Sequence, residues 1–390
     1  MRSIFICLIF LLIPFVRTYP GCNNIPVPGA WQIEKYKEFL EGKNIAIVAN
    51  QTSMVGKTHL VDTLLSLGFR IRVILAPEHG FRNMADAGEK IENGKDPRTG
   101  VAVISLYGKH LKPTTEDLAG IDVVIFDIQD VGTRFYTYIS TLHYIVEACA
   151  QNGKKCLVLD RPNPNGFYVD GNIPDPAFKS FVCLDPIPVV HGMTVGEYAM
   201  MINGEGWLKD GIRCDISVVK CENYKHTTLY TLPVRPSPNL PNQNSVYLYP
   251  SICFFEGTNL SLGRGTAFPF QVFGAPGMPD KGFSFTPESG PGAKDPPLLG
   301  KKCFGTDLRN ALENKTVPAP GLNLDWIINA YNDYPDKAKF FISYFDVLAG
   351  GPVLREQICK GMTSTQIRDS WKPALDNFRK IRQKYILYDE

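Results

Sequence analysis

Glu78, His79 and Arg82 share one short run, Pro-Glu-His-Gly-Phe-Arg at 77–82, directly after an apolar stretch. A carboxylate, an imidazole and a guanidinium so grouped can move protons and bind a polar or anionic ligand. Further acids, Asp86, Asp127, Asp130, Asp160 and Glu256, make carboxylates the dominant candidate groups. Paired carboxylates suit glycoside hydrolysis, in which one protonates the leaving oxygen. Such an acid must keep its proton near neutrality, which burial or a neighbouring negative charge achieves. Glu78 lies between Leu75, Ala76, Pro77 and Phe81, an apolar setting of that kind. His79 can orient it or relay protons, or it can be a packed histidine bonded to a backbone carbonyl. Catalytic candidates are therefore Glu78, His79, Asp127 and Asp130.

Arg82, Arg134, Arg161 and Arg264 offer forks that grip carboxylates, which points to an anionic substrate. The competing use is pairing with Asp86, Asp127 or Asp160. Tyr136 and Tyr138 can stack on sugar faces, and Phe135 beside them reads as core. The same acids with His79 and His191 could hold a metal, as in phosphoesterases, but no H-x-H or D-x-D pair occurs and no metal is assigned. Gly263 and Gly265 give only the start of a dinucleotide fingerprint, and there is no P-loop or nucleophile elbow. No cofactor is expected. A net charge of +2 gives no support to nucleic-acid binding.

Something must bring these residues together. Apolar runs at 44–49, 71–76, 101–106, 123–126, 156–159, 187–190 and 214–219 read as strands, and 59–66, 138–151 and 194–205 read as helices between them. Continuous apolar strands alternating with helices imply a parallel sheet covered on both faces, an α/β, Rossmann-like domain. The strand ends carry Asn50, Glu78 with His79, Tyr107, then Asp127 with Gln129 and Asp130, Asp160 with Arg161 and Asn163, and His191. In a parallel sheet these share one edge, where ligands bind. A proline-rich break at 236–241, containing Asn239, precedes a segment with Glu256, Asn259 and Arg264. Ile367, Trp371, Leu375 and Phe378 mark one face of a helix at 363–382. The expected domains are 22–235, Rossmann-like, and 236–390, a smaller α+β subdomain closing the cleft.

Residues 1–21 have the form of a secretory signal peptide: Arg2, an apolar run at 4–16, then small and polar residues. The run is short for a membrane span, which needs about 20 residues. Export leads to a secreted, extracellular, lysosomal or periplasmic location, and disulfides are then expected among the ten cysteines. Cys149 with Cys156, and Cys214 with Cys221, are close enough in sequence to pair. Of the N-x-S/T sequons, Asn314 is the expected glycosylation site, and Asn50 and Asn259 are not.

These residues give the chain a close resemblance to the NamZ-type exo-β-N-acetylmuramidases, glycoside hydrolase family 171, formerly a family of unknown function. The landmarks are Asn-Gln-Thr-Ser at 50–53, the 77–82 run, Asp-Ala-Gly at 86–88 and Ser-Leu-Tyr-Gly at 105–108. They continue with 126–132, 134–138, 159–164, 191–194, 236–239 and 255–261. The resemblance implies a Rossmann-like domain with a smaller C-terminal subdomain and release of N-acetylmuramic acid from non-reducing ends of peptidoglycan fragments. Glu78 would be the catalytic acid, and the lactyl carboxylate of that sugar would explain the arginines. Substrate contacts would come from Asn50, Arg82, Asp86, Gln129, Arg134, Tyr136, Tyr138, Asp160, Arg161, Asn163, His191, Asn239, Glu256, Asn259 and Arg264. One departure is Gln271, where the pattern suggests Glu, which counts against an acidic role there. The cysteine content fits an exported, disulfide-bonded member in a eukaryote that meets bacteria. The alternative is a non-catalytic peptidoglycan-binding protein on the same fold.

Overall fold

A computed structural model of the chain describes residues 25–78, 80–82, 93–312 and 319–390. The strands are β1 (Asn44–Ala49), β2 (Met54–Val55), β3 (Thr58–His59), β4 (Arg70–Ala76), β5 (Gly94–Lys95), β6 (Ala102–Ser105), β7 (Val123–Asp127), β8 (Lys155–Leu159), β9 (Asp215–Val219), β10 (Val272–Ala275), β11 (Ser284–Phe285) and β12 (Cys303–Asp307). The helices are α1 (Lys37–Leu40), α2 (Leu60–Ser66), α3 (Tyr138–Gln151), α4 (Val195–Gly204), α5 (Gln243–Ile252), α6 (Asp325–Asp333), α7 (Tyr344–Ala349), α8 (Val353–Cys359) and α9 (Ser364–Arg382).

The main sheet runs β5-β6-β4-β1-β7-β8-β9 and is parallel except for β5. Leaving out that edge strand, the order by sequence is 3-2-1-4-5-6, the doubly wound Rossmann arrangement. Its switch point lies between β1 and β7, which pair in register from Ile45 opposite Val123 to Ala49 opposite Asp127. Side chains alternate between two cores. Ala46, Val48, Leu75, Val124 and Phe126 face one, and Ile45, Ile47, Ile74, Val123 and Ile125 face the other. This period-2 split of an all-apolar strand is what burial on both faces requires. The second core is closed by α1 and α2 through Leu40, Leu60, Val61 and Leu64. The first takes α3 and α4 and continues into the C-terminal part through Phe254, Phe345 and Phe378.

Helix starts are well specified. Thr194 and Glu197 form a capping box on α4, and Thr363 and Gln366 form one on α9. The smaller C-terminal part holds helices and the antiparallel sheet β10-β12-β11.

One expected strand is absent from the sheet. Residues 187–190 make only isolated bridges, Val190 pairing with Thr133 and Asp170. Pro186 and Pro188 remove donors that a central strand needs. His191 therefore does not follow a sheet strand, and β9 completes that edge.

All eight described cysteines are unpaired thiols, so the close-spaced pairs are not disulfides here. Cys149 instead has the Cys156 and Cys214 thiols at hydrogen-bonding range in the core. The segments carrying Cys7, Cys22 and Asn314 lie outside the described residues. Among the described residues no helix is long and apolar enough to cross a membrane.

Candidate active site

Glu78 sits on the turn after β4, next to the switch point, half-buried and facing a cavity of about 230 Å³. Pro77 ends the strand, and the Gly80 N–H donates to the Pro77 carbonyl (3.1 Å), closing the turn with Gly80 at φ 82°. The cavity floor comes from the start of α3: Phe135, Tyr136, Thr137 and Tyr138. The Thr137 hydroxyl lies 3.4 Å from Glu78 Oε2. The far wall belongs to the C-terminal part, with Tyr249, Glu256, Arg264, Phe270 and Tyr344.

Glu256 is placed by a tight packing contact. It lies in the 3-10 turn Cys253–Gly257 after α5, and Gly257 lets α7 approach. A Cβ on Gly257 would fall 2.3 Å from Phe345 Cα. This contact puts Tyr344, the first residue of α7, beside Glu256. Arg264 Nε donates to Glu256 Oε1 at 3.0 Å, and Nη2 donates to the same oxygen. The guanidinium lies over the Phe270 ring, 5.1 Å from its centroid. Phe270 is held at φ 59°, the left-handed region that side chains avoid. Beyond Glu256, Arg264 and Tyr344 a second cavity of about 570 Å³ opens, bordered by Leu260, Leu262, Lys294, Asp295 and Pro296.

The three tyrosine hydroxyls feel the acids. Burial pushes Tyr138 above its ordinary range, and the Glu78 charge adds to it. Burial also raises Tyr136, with Tyr138, Asp130 and Glu78 contributing. Tyr344 rises by burial and then by Cys253, Glu256 and Glu78. Tyr136 donates its hydroxyl to the Pro236 carbonyl (2.7 Å), whereas the buried Tyr138 hydroxyl, close to Tyr136 and Asn50, makes no well-formed hydrogen bond among the described residues. Asn50 Nδ2, just past β1, is likewise buried without a well-formed hydrogen bond among the described residues. Asn50 Oδ1 accepts from Thr52 N (2.9 Å) and Thr52 Oγ1 (2.6 Å).

Asp130 is fully buried behind Tyr136 and Tyr138. Its Oδ1 accepts from Gly132 N (2.6 Å), and Oδ2 has no partner among the described residues. Desolvation pushes this carboxyl up to about 7, against the lowering effect of the Gly132 and Val131 N–H groups.

The remaining candidates are engaged elsewhere. Asp127 takes Arg161 Nε (2.6 Å) and Nη2 (2.9 Å) in a buried, two-pronged ion pair. Asp160 accepts from Gly196 N (2.8 Å), Thr194 Oγ1 (2.7 Å) and Tyr388 Oη (2.5 Å) at the start of α4, and burial raises it to about 6. Arg82 is bonded to Asp62 and Asp96. Arg134 gives Nη1 to the carbonyls of Asn172 and Ile187, and Nη2 to those of Leu348 and Ala349. It thereby ties the sheet domain to α7. Gln129 holds the Asp130 and Pro162 carbonyls, and Asn163 holds that of Met193. His191 is buried and lowered to about 3, first by desolvation. Asn239 donates to the Gly292 carbonyl (2.8 Å). Asn259 is exposed, with Nδ2 on the Lys339 carbonyl. Gln271 accepts from Asn242 and Asn244 away from the cavity. His79 and Asp86 lie outside the described residues.

The cavity thus gathers Glu78, Tyr136, Tyr138, Glu256 and Arg264 from the sequence candidates. It adds Thr137, Tyr249, Phe270 and Tyr344, which sequence reasoning did not select. Among the described residues no group of three or more His, Cys, Asp or Glu side chains could hold a metal ion.

Two family models tile the chain: the N-terminal model of exo-β-N-acetylmuramidase NamZ over residues 45–244 and the C-terminal model over 247–388. The chain belongs to the NamZ family. Its cavity falls between the parts matched by the two NamZ models, with Glu78 in the first and Glu256 in the second. The peptidoglycan β-N-acetylmuramidase NamZ of Bacillus subtilis is 38% identical over 378 residues, covering 90% of this chain and 89% of that one. A DUF1343 family protein from Bacteroides fragilis, solved by crystallography, is 46% identical with a TM-score of 0.87, over 94% of this chain and 99% of that one. A second DUF1343 protein from that organism is 29% identical with a TM-score of 0.78, over 93% and 99%.

Proposed function

We propose that this chain is an exo-acting glycoside hydrolase that releases N-acetylmuramic acid from non-reducing ends of peptidoglycan fragments, with Glu78 as general acid. The observation that carries the reading is the cavity itself. Its described lining contains two carboxylates, Glu78 and Glu256, supplied by opposite halves of the molecule across aromatic walls. Kinship with a Bacillus subtilis peptidoglycan β-N-acetylmuramidase supplies the substrate class.

In this mechanism the Glu78 carboxyl gives its proton to the glycosidic oxygen as the C–O bond breaks. The Thr137 hydroxyl steadies the Glu78 carboxylate that remains. Glu256, fixed by Arg264, presents negative charge to the oxocarbenium-like transition state from the other wall. Water adds to the anomeric carbon and releases a proton, which restores the acid. Tyr136, Tyr138 and Tyr249 provide apolar faces for the sugar ring. Export to where peptidoglycan is met is the corresponding proposal for location.

The test is hydrolysis of a chromogenic β-N-acetylmuramide by the wild-type chain and by Glu78→Gln. Hydrolysis by wild type and its loss in a folded mutant is the expected result. Binding without turnover by both would replace the enzyme with a peptidoglycan-binding protein.

A further inference from the structure

The cavity contains a single described cation. Arg82, Arg134 and Arg161 are consumed by Asp62 and Asp96, by four carbonyls and by Asp127 respectively. None of the three lines either cavity, whereas Arg264 lines both.

The way Arg264 is held leaves it unfinished. A guanidinium has five N–H donors arranged along distinct edges. Glu256 uses only the Nε–Nη2 side, and through one oxygen, Oε1. Nη1 has no hydrogen-bond partner among the described residues. The Nη1–Nη2 end is the edge that receives a second carboxylate bidentately. Phe270 beneath the guanidinium and Glu256 at its side fix the orientation of that edge. Charge also fits. Arg264 and Glu256 form one ion pair of no net charge, which an anion can approach on the guanidinium side.

N-acetylmuramic acid differs from N-acetylglucosamine by a lactyl ether bearing a carboxylate. We propose that Arg264 reads this carboxylate through its Nη1–Nη2 edge while Glu256 keeps the other side. The inference rests on the muramidase reading above. It makes Arg264 the residue that separates muramic acid from the unsubstituted amino sugar.

The experiment compares a chromogenic β-N-acetylmuramide with the same glycoside carrying its lactyl group as the primary amide, on wild type and Arg264→Gln. Wild type should favour the acid in kcat/KM by roughly 10- to 100-fold, the contribution of charge-assisted hydrogen bonds. In Arg264→Gln that preference should disappear. A merely structural role would slow both substrates equally and leave the ratio intact, which would overturn the proposal. Equal rates for acid and amide in wild type would overturn it too. If Arg264→Gln does not fold, Arg264→Lys decides, since it keeps the charge without the fork. A reduced preference supports the assignment and an unchanged one refutes it. Failure of wild type to cleave either glycoside would instead remove the muramidase reading.

Discussion

Two sets of carboxylates lie in this molecule, and they are treated in opposite ways. At the ends of β7 and β8, Asp127 and Asp160 are fully buried and bonded on both oxygens by the protein itself. At the cavity between the halves, Glu78 and Glu256 are half-buried; among the described residues Glu78 takes a 3.4 Å contact from Thr137, and Glu256 takes Arg264 on Oε1 and a long 3.9 Å contact from the Cys253 thiol on Oε2. The strand-end rule of parallel sheets finds the first set and Glu78, but not Glu256, which lies in the turn after α5. Only the second set can exchange protons or charge with a ligand. A carboxylate whose acceptor sites are all filled from within holds the fold, and one left unfinished at a cavity is available for chemistry.

The contrast can be broken by exchanging the consequences of mutation. Glu78→Gln should lower turnover by about 10²–10⁴-fold, the usual worth of a general acid, with little change in thermal midpoint. Arg161→Ala should do the reverse. It strands Asp127 as a lone buried charge and costs about 3–5 kcal/mol, read from a denaturant midpoint. A large activity loss in Glu78→Gln that tracked unfolding would erase the distinction.

Asp130 sharpens it, being buried like the first set but unfinished like the second. Its folded value of about 7 lies above its ordinary 3.8, so the folded chain holds a proton that the unfolded chain has released. Stability from this group is therefore full below pH about 4 and falls as pH rises through the interval up to about 7. Asp160, raised to about 6, acts in the same sense. The Asp130 share is at most about 4 kcal/mol, since one pKa unit is about 1.4 kcal/mol. Unfolding free energies from pH 4 to 8 should show the decline, and Asp130→Asn should flatten it.

The smallest effect concerns placement. Gly257→Ala pushes a methyl into the α7 backbone and should cost about 1–3 kcal/mol. Because α7 carries Tyr344 and the mutated turn carries Glu256, KM and kcat should both change beyond what the folded fraction explains. Kinetics on the folded protein, with the melting curve alongside, check this.

Most of the sheet was legible in the sequence because fully buried strands are uninterrupted apolar runs, and the expected 123–126 and 44–49 are β7 and β1 almost to the residue. α3 and α4 were legible as helical stretches between strands, at 138–151 and 194–205. The run at 187–190 misled because its apolar residues looked like a strand while two prolines denied it a ladder. The site was legible on the sheet side, where Glu78, Tyr136 and Tyr138 follow from their positions beside strands. The opposite wall was only half visible. Tyr344 and Phe270 reach the cavity through distant packing, the first on a short helix seated on Gly257 and the second by a left-handed backbone. Neither leaves a local signature. Arg134 misled in the other direction, since a sequence does not distinguish an arginine that clamps four carbonyls from one that awaits a substrate.

The role proposed for Glu78 is to donate a proton to the departing oxygen. The most direct measurement compares Glu78→Gln with wild type on two N-acetylmuramides: a 2,4-dinitrophenyl glycoside, whose leaving group departs without help, and an N-acetylmuramyl-N-acetylglucosamine disaccharide, whose leaving group needs the proton. If Glu78 is the acid, the loss is large on the disaccharide and much smaller on the dinitrophenyl glycoside. Equal losses on the two would contradict it.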